Sequence, residues 1–270
     1  MLKLISKLRY LYKELRIYHI GIYSANTAFY IVLSVFPGIM LLMAVLPYFG
    51  FRSEDLLLSM QGLIPEVLSP LMERLVMDLQ VSSSGILLST TAVVAVWSSS
   101  RGIHCIQQGL NAIWGVREKR PYVLSRLISM IYMVFFLIAL LITLLFHGFG
   151  RELSGYFSRQ TIPILRLLAV LLQLRGPVMF ILLTVLFVTM FCILPDKKQS
   201  VRRSIPGAAT AALSWLLFTQ GYSVYAKYFG SYSVLYGSLS IIAMGMFWLY
   251  ICVSILFYGC VLNLYLERRI

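Results

Sequence analysis

Charge is scarce in this chain of 270 residues. Asp, Glu, Lys and Arg make up only 12% of it, against roughly 25% in soluble domains. Acids are the rarer kind, 10 against 23 Lys and Arg, a formal charge of +13. The four cysteines, Cys105, Cys192, Cys252 and Cys260, form no Cys-x-x-Cys pair. That spacing argues against a zinc or redox site, the composition fits a disulfide-rich secreted domain poorly, and the cysteines read as small packing residues. His19, His104 and His147 are too dispersed for metal-ligand spacing. Neither a Gly-x-x-x-x-Gly-Lys-Ser/Thr loop nor a Gly-x-Gly-x-x-Gly fingerprint occurs, which removes the usual phosphate cradles of ATP-driven and dinucleotide-dependent proteins. No catalytic residue, metal or cofactor is expected.

Apolar residues fill the space that charge leaves. They account for 60% of the chain, and the mean hydropathy is +0.85. Crossing a hydrocarbon core takes about 20 residues of helix. Six stretches qualify, near 25–49, 85–99, 124–149, 177–194, 206–227 and 239–264. All must be helices, because an open strand edge has no hydrogen-bond partner in lipid. The expected fold is therefore all-α: a polytopic integral membrane protein, one domain over 1–270, with six transmembrane helices plus amphipathic N-terminal and external helices. Pro37 should bend the first span by removing a backbone donor. Gly176–Pro177 and Ile205–Pro206 read as the starts of the fourth and fifth. No carboxylate lies within the core of a span, which argues against a carboxylate proton relay.

Sorting the charges by loop gives an orientation. The N-terminal segment, the 100–123 region with Arg126, the 195–205 loop and the C-terminal end together hold 16 basic and 4 acidic residues. The opposite side holds 7 basic and 6 acidic residues. The excess places both termini in the cytoplasm. Four of the seven, Arg151, Arg159, Arg166 and Arg175, fall between spans three and four, where 162–174 reads either as an interfacial helix or as an extension of span four. Residues 1–19 form a basic amphipathic segment with no small-residue cleavage site. It suits the anionic inner leaflet, where each basic residue contributes on the order of 1 kcal/mol. The external segment 53–80 repeats apolar residues from Leu56 to Leu79 at roughly helical spacing, interrupted by Pro65 and Pro70.

Residues 96–122, VWSSSRGIHCIQQGLNAIWGVREKRPY, carry the densest polar signal. On a helix Trp97, Arg101, His104, Gln108 and Asn111 fall at i, i+4, i+7, i+11 and i+14, one polar stripe. Two readings stand at this point. The stripe is one wall of a polar groove open to the cytoplasm, or a wet interfacial face with Arg101 snorkelling. Asn26 in the first span, and Gln220 and Tyr222 in the fifth, add polar positions that serve a path or simple interhelical bonding. Candidate substrate-path residues are thus Asn26, Trp97, Arg101, His104, Gln108, Asn111, Gln220 and Tyr222.

ANTAFYIVLSVFPGIML (25–41), VWSSSRGIHCIQQGLNAIWGVRE (96–118) and, in the last third, PGA (206–208), YFGSYSVLYGSLS (228–240), WLY (248–250) and GCVLN (259–263) occur in this order. In these segments the chain resembles the YihY/BrkB family of bacterial inner-membrane proteins over nearly its whole length. The resemblance implies six spans with cytoplasmic termini. Some family members carry a tRNA-processing ribonuclease label, but no metal-ligand cluster or acid/base pair in this sequence would cleave a phosphodiester. The closing motif departs from the family's Gly-Ala-Glu-Leu-Asn: Cys260 and Val261 stand in place of Ala-Glu, so the carboxylate that would pair with the motif arginine, Arg101, is missing.

These observations lead to an expected function: a non-ATPase transporter or lipid-translocating protein of the bacterial cytoplasmic (inner) membrane, acting in envelope biogenesis. Its partners would be membrane lipids, specifically an anionic phospholipid or a lipid-linked envelope precursor, and not nucleic acid; a homo-oligomer is compatible with the sequence. The alternative is a membrane scaffold or assembly factor that moves nothing. A membrane-associated ribonuclease is the reading the residues support least.

Overall fold

A computed structural model describes residues 17–45, 68–80, 87–135, 138, 175–229 and 238–268. Among them are seven α-helices and no strand. These are α1 (Ile20–Val45), α2 (Ser69–Gln80), α3 (Leu87–Trp114), α4 (Tyr122–Phe135), α5 (Arg175–Ile193), α6 (Val201–Phe229) and α7 (Ser238–Arg268). The basic segment 1–16, the external stretch before Leu68, the later part of the 124–149 span, residues 150–174 and the 230–237 connection lie outside the described residues.

Two segments, Gly176–Ile193 in α5 and Ile242–Glu267 in α7, are long and apolar enough to cross a bilayer by length and composition. Ile20–Ser34 and Tyr122–Phe135 are shorter apolar helices. The burial pattern reverses that of a soluble amphipathic helix. On α6 the large residues Leu213, Leu217 and Val224 are exposed, while Ala208, Ala211, Ala212, Thr219 and Ala226 are buried. On α1 Ser24, Thr27 and Ala28 face inward and Ile22, Phe29 and Leu33 outward. Small and polar side chains inside with branched apolar ones outside suit helices that associate in lipid. There, close packing and interhelical hydrogen bonds replace the hydrophobic effect as the driving force.

The small residues permit two close helix pairings. α1 runs antiparallel along α3: a Cβ at Gly102 would meet Ile31 at 3.0 Å, and one at Gly109 would meet Tyr23 at 3.2 Å and the Phe257 ring of α7 at 2.4 Å. α6 crosses α7 at Gly207 and Gly259, where a Cβ on Gly207 would stand 2.1 Å from the Gly259 carbonyl oxygen. Only a bare backbone fits at that distance. α7 also packs on α1, and α6 on α5, around Leu110, Phe191, Leu194, Phe257 and Cys260.

Helix ends differ from the sequence expectation at two places. α6 begins at Val201, not at Pro206, because the Ser200 carbonyl accepts the N–H groups of Arg203 and Ser204 and starts the helix earlier. Pro206 is then inside the helix, where it removes a donor. Asn263 of α7 braces both sides of it, donating Nδ2 to the Ser204 carbonyl (3.0 Å) and accepting from the Gly207 N–H (2.7 Å). α3 does not stop near Ser99 but continues to Trp114, since nothing breaks the helix before Gly115. Gly115 adopts φ +63°. Its N–H bonds to Ala112 and that of Val116 to Asn111, the left-handed C-terminal cap that favours glycine. α1 is helical on both sides of Pro37.

Candidate functional site

The extended α3 places Trp97, Arg101, His104 and Gln108 on one face. Trp97 is 50% exposed. Arg101 and Gln108 are also exposed and His104 half-buried. Gln108 Nε2 lies 3.3 Å from His104 Nε2, one turn apart on the helix. The Arg101 guanidinium rests over the Tyr30 ring of α1, 5.3 Å from its centroid. α4 closes the other side, with Ser125 Oγ 3.4 Å from His104 Nδ1 and the Tyr122 ring edge-on to the imidazole at 6.0 Å.

Sequence periodicity places Asn111 at the end of this exposed stripe, but the structure buries it. The α3–α4 and α5–α6 connections fold over that end of α3 and enclose a polar network. Glu118 returns across the helix end and accepts from Asn111 Nδ2 (2.7 Å) and Gln107 Nε2 (3.1 Å). Ser129 of α4 donates to Gln107 Oε1 (3.2 Å). Asn111 Oδ1 accepts the backbone N–H of Asp196 (2.9 Å). Arg120 pairs with Asp196 at 2.9 Å and also donates to the carbonyls of Leu194 and Pro195. The two connections are thereby clasped together. Gln107 on α3 and Glu118, Arg120 and Asp196 in the two loops were invisible as a group, because the sequence shows only scattered polar residues, with the two loops about 75 positions apart.

Arg126 is the second residue that periodicity alone does not single out. In the charge tally it is one more positive-inside flank. In the structure it is 2% exposed, the largest fully buried side chain among the described residues. Its Nη2 donates to the Trp97 carbonyl, and its guanidinium stacks on the Trp97 ring at 5.0 Å. Nε and Nη1 have no partner among the described residues. Nor does any described carboxylate pair with it: Asp196 holds Arg120, and Glu267 holds Lys197 and Arg203. An unpaired buried ion costs several kcal/mol, and a desolvated stack on an aromatic ring returns about 2 kcal/mol or somewhat more. His104 feels the same charges. Its burial lowers its pKa, Arg126 and Arg101 push it further down, and Gln107 and Glu118 oppose them.

The remaining candidates are placed elsewhere. Asn26 is exposed on α1. Gln220 is exposed on α6, which packs on α7 and α5. Tyr222 is buried in the α6–α7 contact. Its hydroxyl donates to the Met244 carbonyl (2.9 Å), and its ring lies among Phe218, Tyr225 and Phe247. Neither α6 residue joins the Arg101 face through a described contact. Among the described residues no three His, Cys, Asp or Glu side chains converge on a point that suits a metal ion.

Comparison with known proteins covers the whole architecture. The chain is 29% identical over 246 residues to the ribonuclease-like protein YfkH of Bacillus subtilis (strain 168), covering 91% of this chain and 90% of the relative. It is 27% identical over 268 residues to the UPF0761 membrane protein VV0203 of Vibrio vulnificus (strain YJ016), covering 98% and 83%. It is 25% identical over 273 residues to a UPF0761 membrane protein of Actinobacillus pleuropneumoniae serotype 5b (strain L20), covering 97% and 95%. No solved structure matches the chain. The family model described as virulence factor BrkB matches residues 11–270, so the chain belongs to the YihY/BrkB family of membrane proteins.

Proposed function

We propose that this protein is a six-span protein of the bacterial cytoplasmic membrane, with both termini inside, that translocates a lipid or lipid-linked envelope precursor without ATP. One observation carries the reading. A polar face bearing Trp97, Arg101, His104 and Gln108 is set into a helix bundle whose described surface exposes many large apolar side chains, among them Leu213, Leu217 and Val224. A polar headgroup crossing hydrocarbon needs such a face, since its transfer is opposed by loss of hydration. Arg101 offers a cation to an anionic headgroup, and His104 and Gln108 offer exchangeable hydrogen bonds on the same side.

The test is flipping of a headgroup-labelled phospholipid in liposomes containing the purified protein, with Arg101→Ala alongside. Flipping by the wild type and a clear loss in folded Arg101→Ala is expected. Equal flipping by the two would remove Arg101 from the path. No flipping by folded wild type would overturn translocation and favour the scaffold reading, which predicts stable co-purifying envelope proteins. The name of YfkH raises RNA cleavage as a further outcome, testable as activity that follows the protein through stringent purification and is absent from a mock preparation.

A further inference from the structure

We infer that Arg126 forms, with Arg101 and His104, a binding site for a phosphate-class anion, either a phospholipid headgroup or a free phosphate-bearing solute. The inference deepens the translocation reading by naming the ligand chemistry. It does not depend on transport, because the site would bind its anion in a protein that moves nothing.

The argument begins with unused donors. Arg126 is enclosed, and two of its guanidinium nitrogens lack partners among the described residues. A guanidinium is always charged and presents its donors in a planar fork that matches two oxygens of a phosphate. Its one bond fixes the fork in place: Nη2 holds the Trp97 carbonyl, leaving Nε and Nη1 free. Trp97 stacks on the guanidinium and is itself half exposed, so one wall of the guanidinium's enclosure is a side chain that reaches the surface.

The surroundings have one sign. Arg101 stands one helical turn from Trp97 and makes no ion pair among the described residues; its recorded partner is the Tyr30 ring. His104 reaches the same space through Ser125, the neighbour of Arg126. The carboxylates of Asp196 and Glu267 are engaged by other cations, and Glu118 is held by Gln107 and Asn111. Arg126 and Arg101 make no ion pair among the described residues, so the two like charges repel each other and a bound anion relieves that repulsion. Val261 packs partly buried against the core and supplies no charge.

The experiment uses the full chain in nanodiscs of zwitterionic phosphatidylcholine and reads tryptophan emission, with Trp97→Phe identifying the share that comes from Trp97. One arm titrates sodium phosphate at constant ionic strength. The other replaces phosphatidylcholine stepwise with phosphatidylglycerol. A saturable Trp97 response is expected in at least one arm: phosphate alone indicates a soluble ligand, phosphatidylglycerol alone a lipid headgroup. Arg126→Met should abolish the response, and Arg126→Lys, which keeps the charge but loses the fork, should weaken apparent affinity about tenfold to a hundredfold. If Arg126→Met does not fold, Arg126→Lys decides. Absence of a wild-type response in both arms overturns the site, as does an unchanged response in a folded Arg126 variant. Flipping without binding, or binding without flipping, separates this proposal from the translocation reading.

Discussion

Replacing Gly207 with alanine adds one methyl group where α6 and α7 cross. That carbon would stand 2.1 Å from the Gly259 carbonyl oxygen, and 2.5 Å from Asn263 Oδ1. A relaxed carbon–oxygen contact is longer by more than an ångström, and the obstacle is backbone, which cannot rotate away. The helices must separate. Separation strains or breaks the two Asn263 bonds, now 2.7 and 3.0 Å, that brace α6 around Pro206. Overpacking costs about 1–3 kcal/mol, and each interhelical bond in a membrane protein contributes about 0.6 kcal/mol on average. The expected loss is therefore about 2–4 kcal/mol, offset by up to about 1 kcal/mol of helix propensity. The assay is reversible unfolding in mixed micelles titrated with a denaturing detergent. Gly221→Ala is the internal control, because α6 presents open space at that position, and it should be neutral or slightly stabilising. Gly259→Ala should behave like Gly207→Ala, since its added carbon would meet the Gly207 carbonyl oxygen at 2.5 Å. If Gly207→Ala unfolds at the same midpoint as Gly221→Ala, the crossing is not backbone-tight and the reasoning fails.

Two further outcomes follow from the polar groups around α3. The Arg120–Asp196 pair is partly exposed, 21% and 15%, but buttressed by the Leu194 and Pro195 carbonyls and by Asn111; a double-mutant cycle with Arg120→Ala and Asp196→Ala should give a coupling of about 1 kcal/mol, and zero coupling would mean the clasp is incidental. His104 is held below its usual 6.5 chiefly by burial, with Arg126 and Arg101 in support, so below 6.5 the unfolded chain takes up a proton the folded protein resists, and stability drops as pH falls through the folded value. Thermal midpoints of wild type and His104→Gln should therefore diverge on acidification, with the wild type losing more; parallel curves would show that His104 is not buried as described.

Element type was legible from the sequence and element ends were not. A long apolar run specifies a helix in lipid, even across Pro37 in α1, so α1, α5 and α7 overlap the expected spans. The starts and stops turned on local bonds. Ser200 opens α6 five residues before the proline that reads as its start, and Gly115 ends α3 fifteen residues beyond the expected edge of its span. The stripe from Trp97 to Gln108 follows directly from a period of 3.6. Asn111 has the same period but is buried, because two loops cover it, and periodicity carries no information about what lands on a face.

The amino-acid sequence by itself determined a helical membrane protein, a family and a polar, basic face on α3. The fold class and the face follow from composition and periodicity, which are local properties of the chain, and the family from the resemblance of its ordered motifs. Tertiary structure alone decided that Glu118 and Asp196 meet over Asn111, that Gly207 meets Gly259, and that Arg126, not Arg101, is the enclosed arginine. Each of these depends on which faces of separate helices come together. In lipid that choice is made by the fit of small residues and the satisfaction of buried polar groups, not by any property readable one helix at a time.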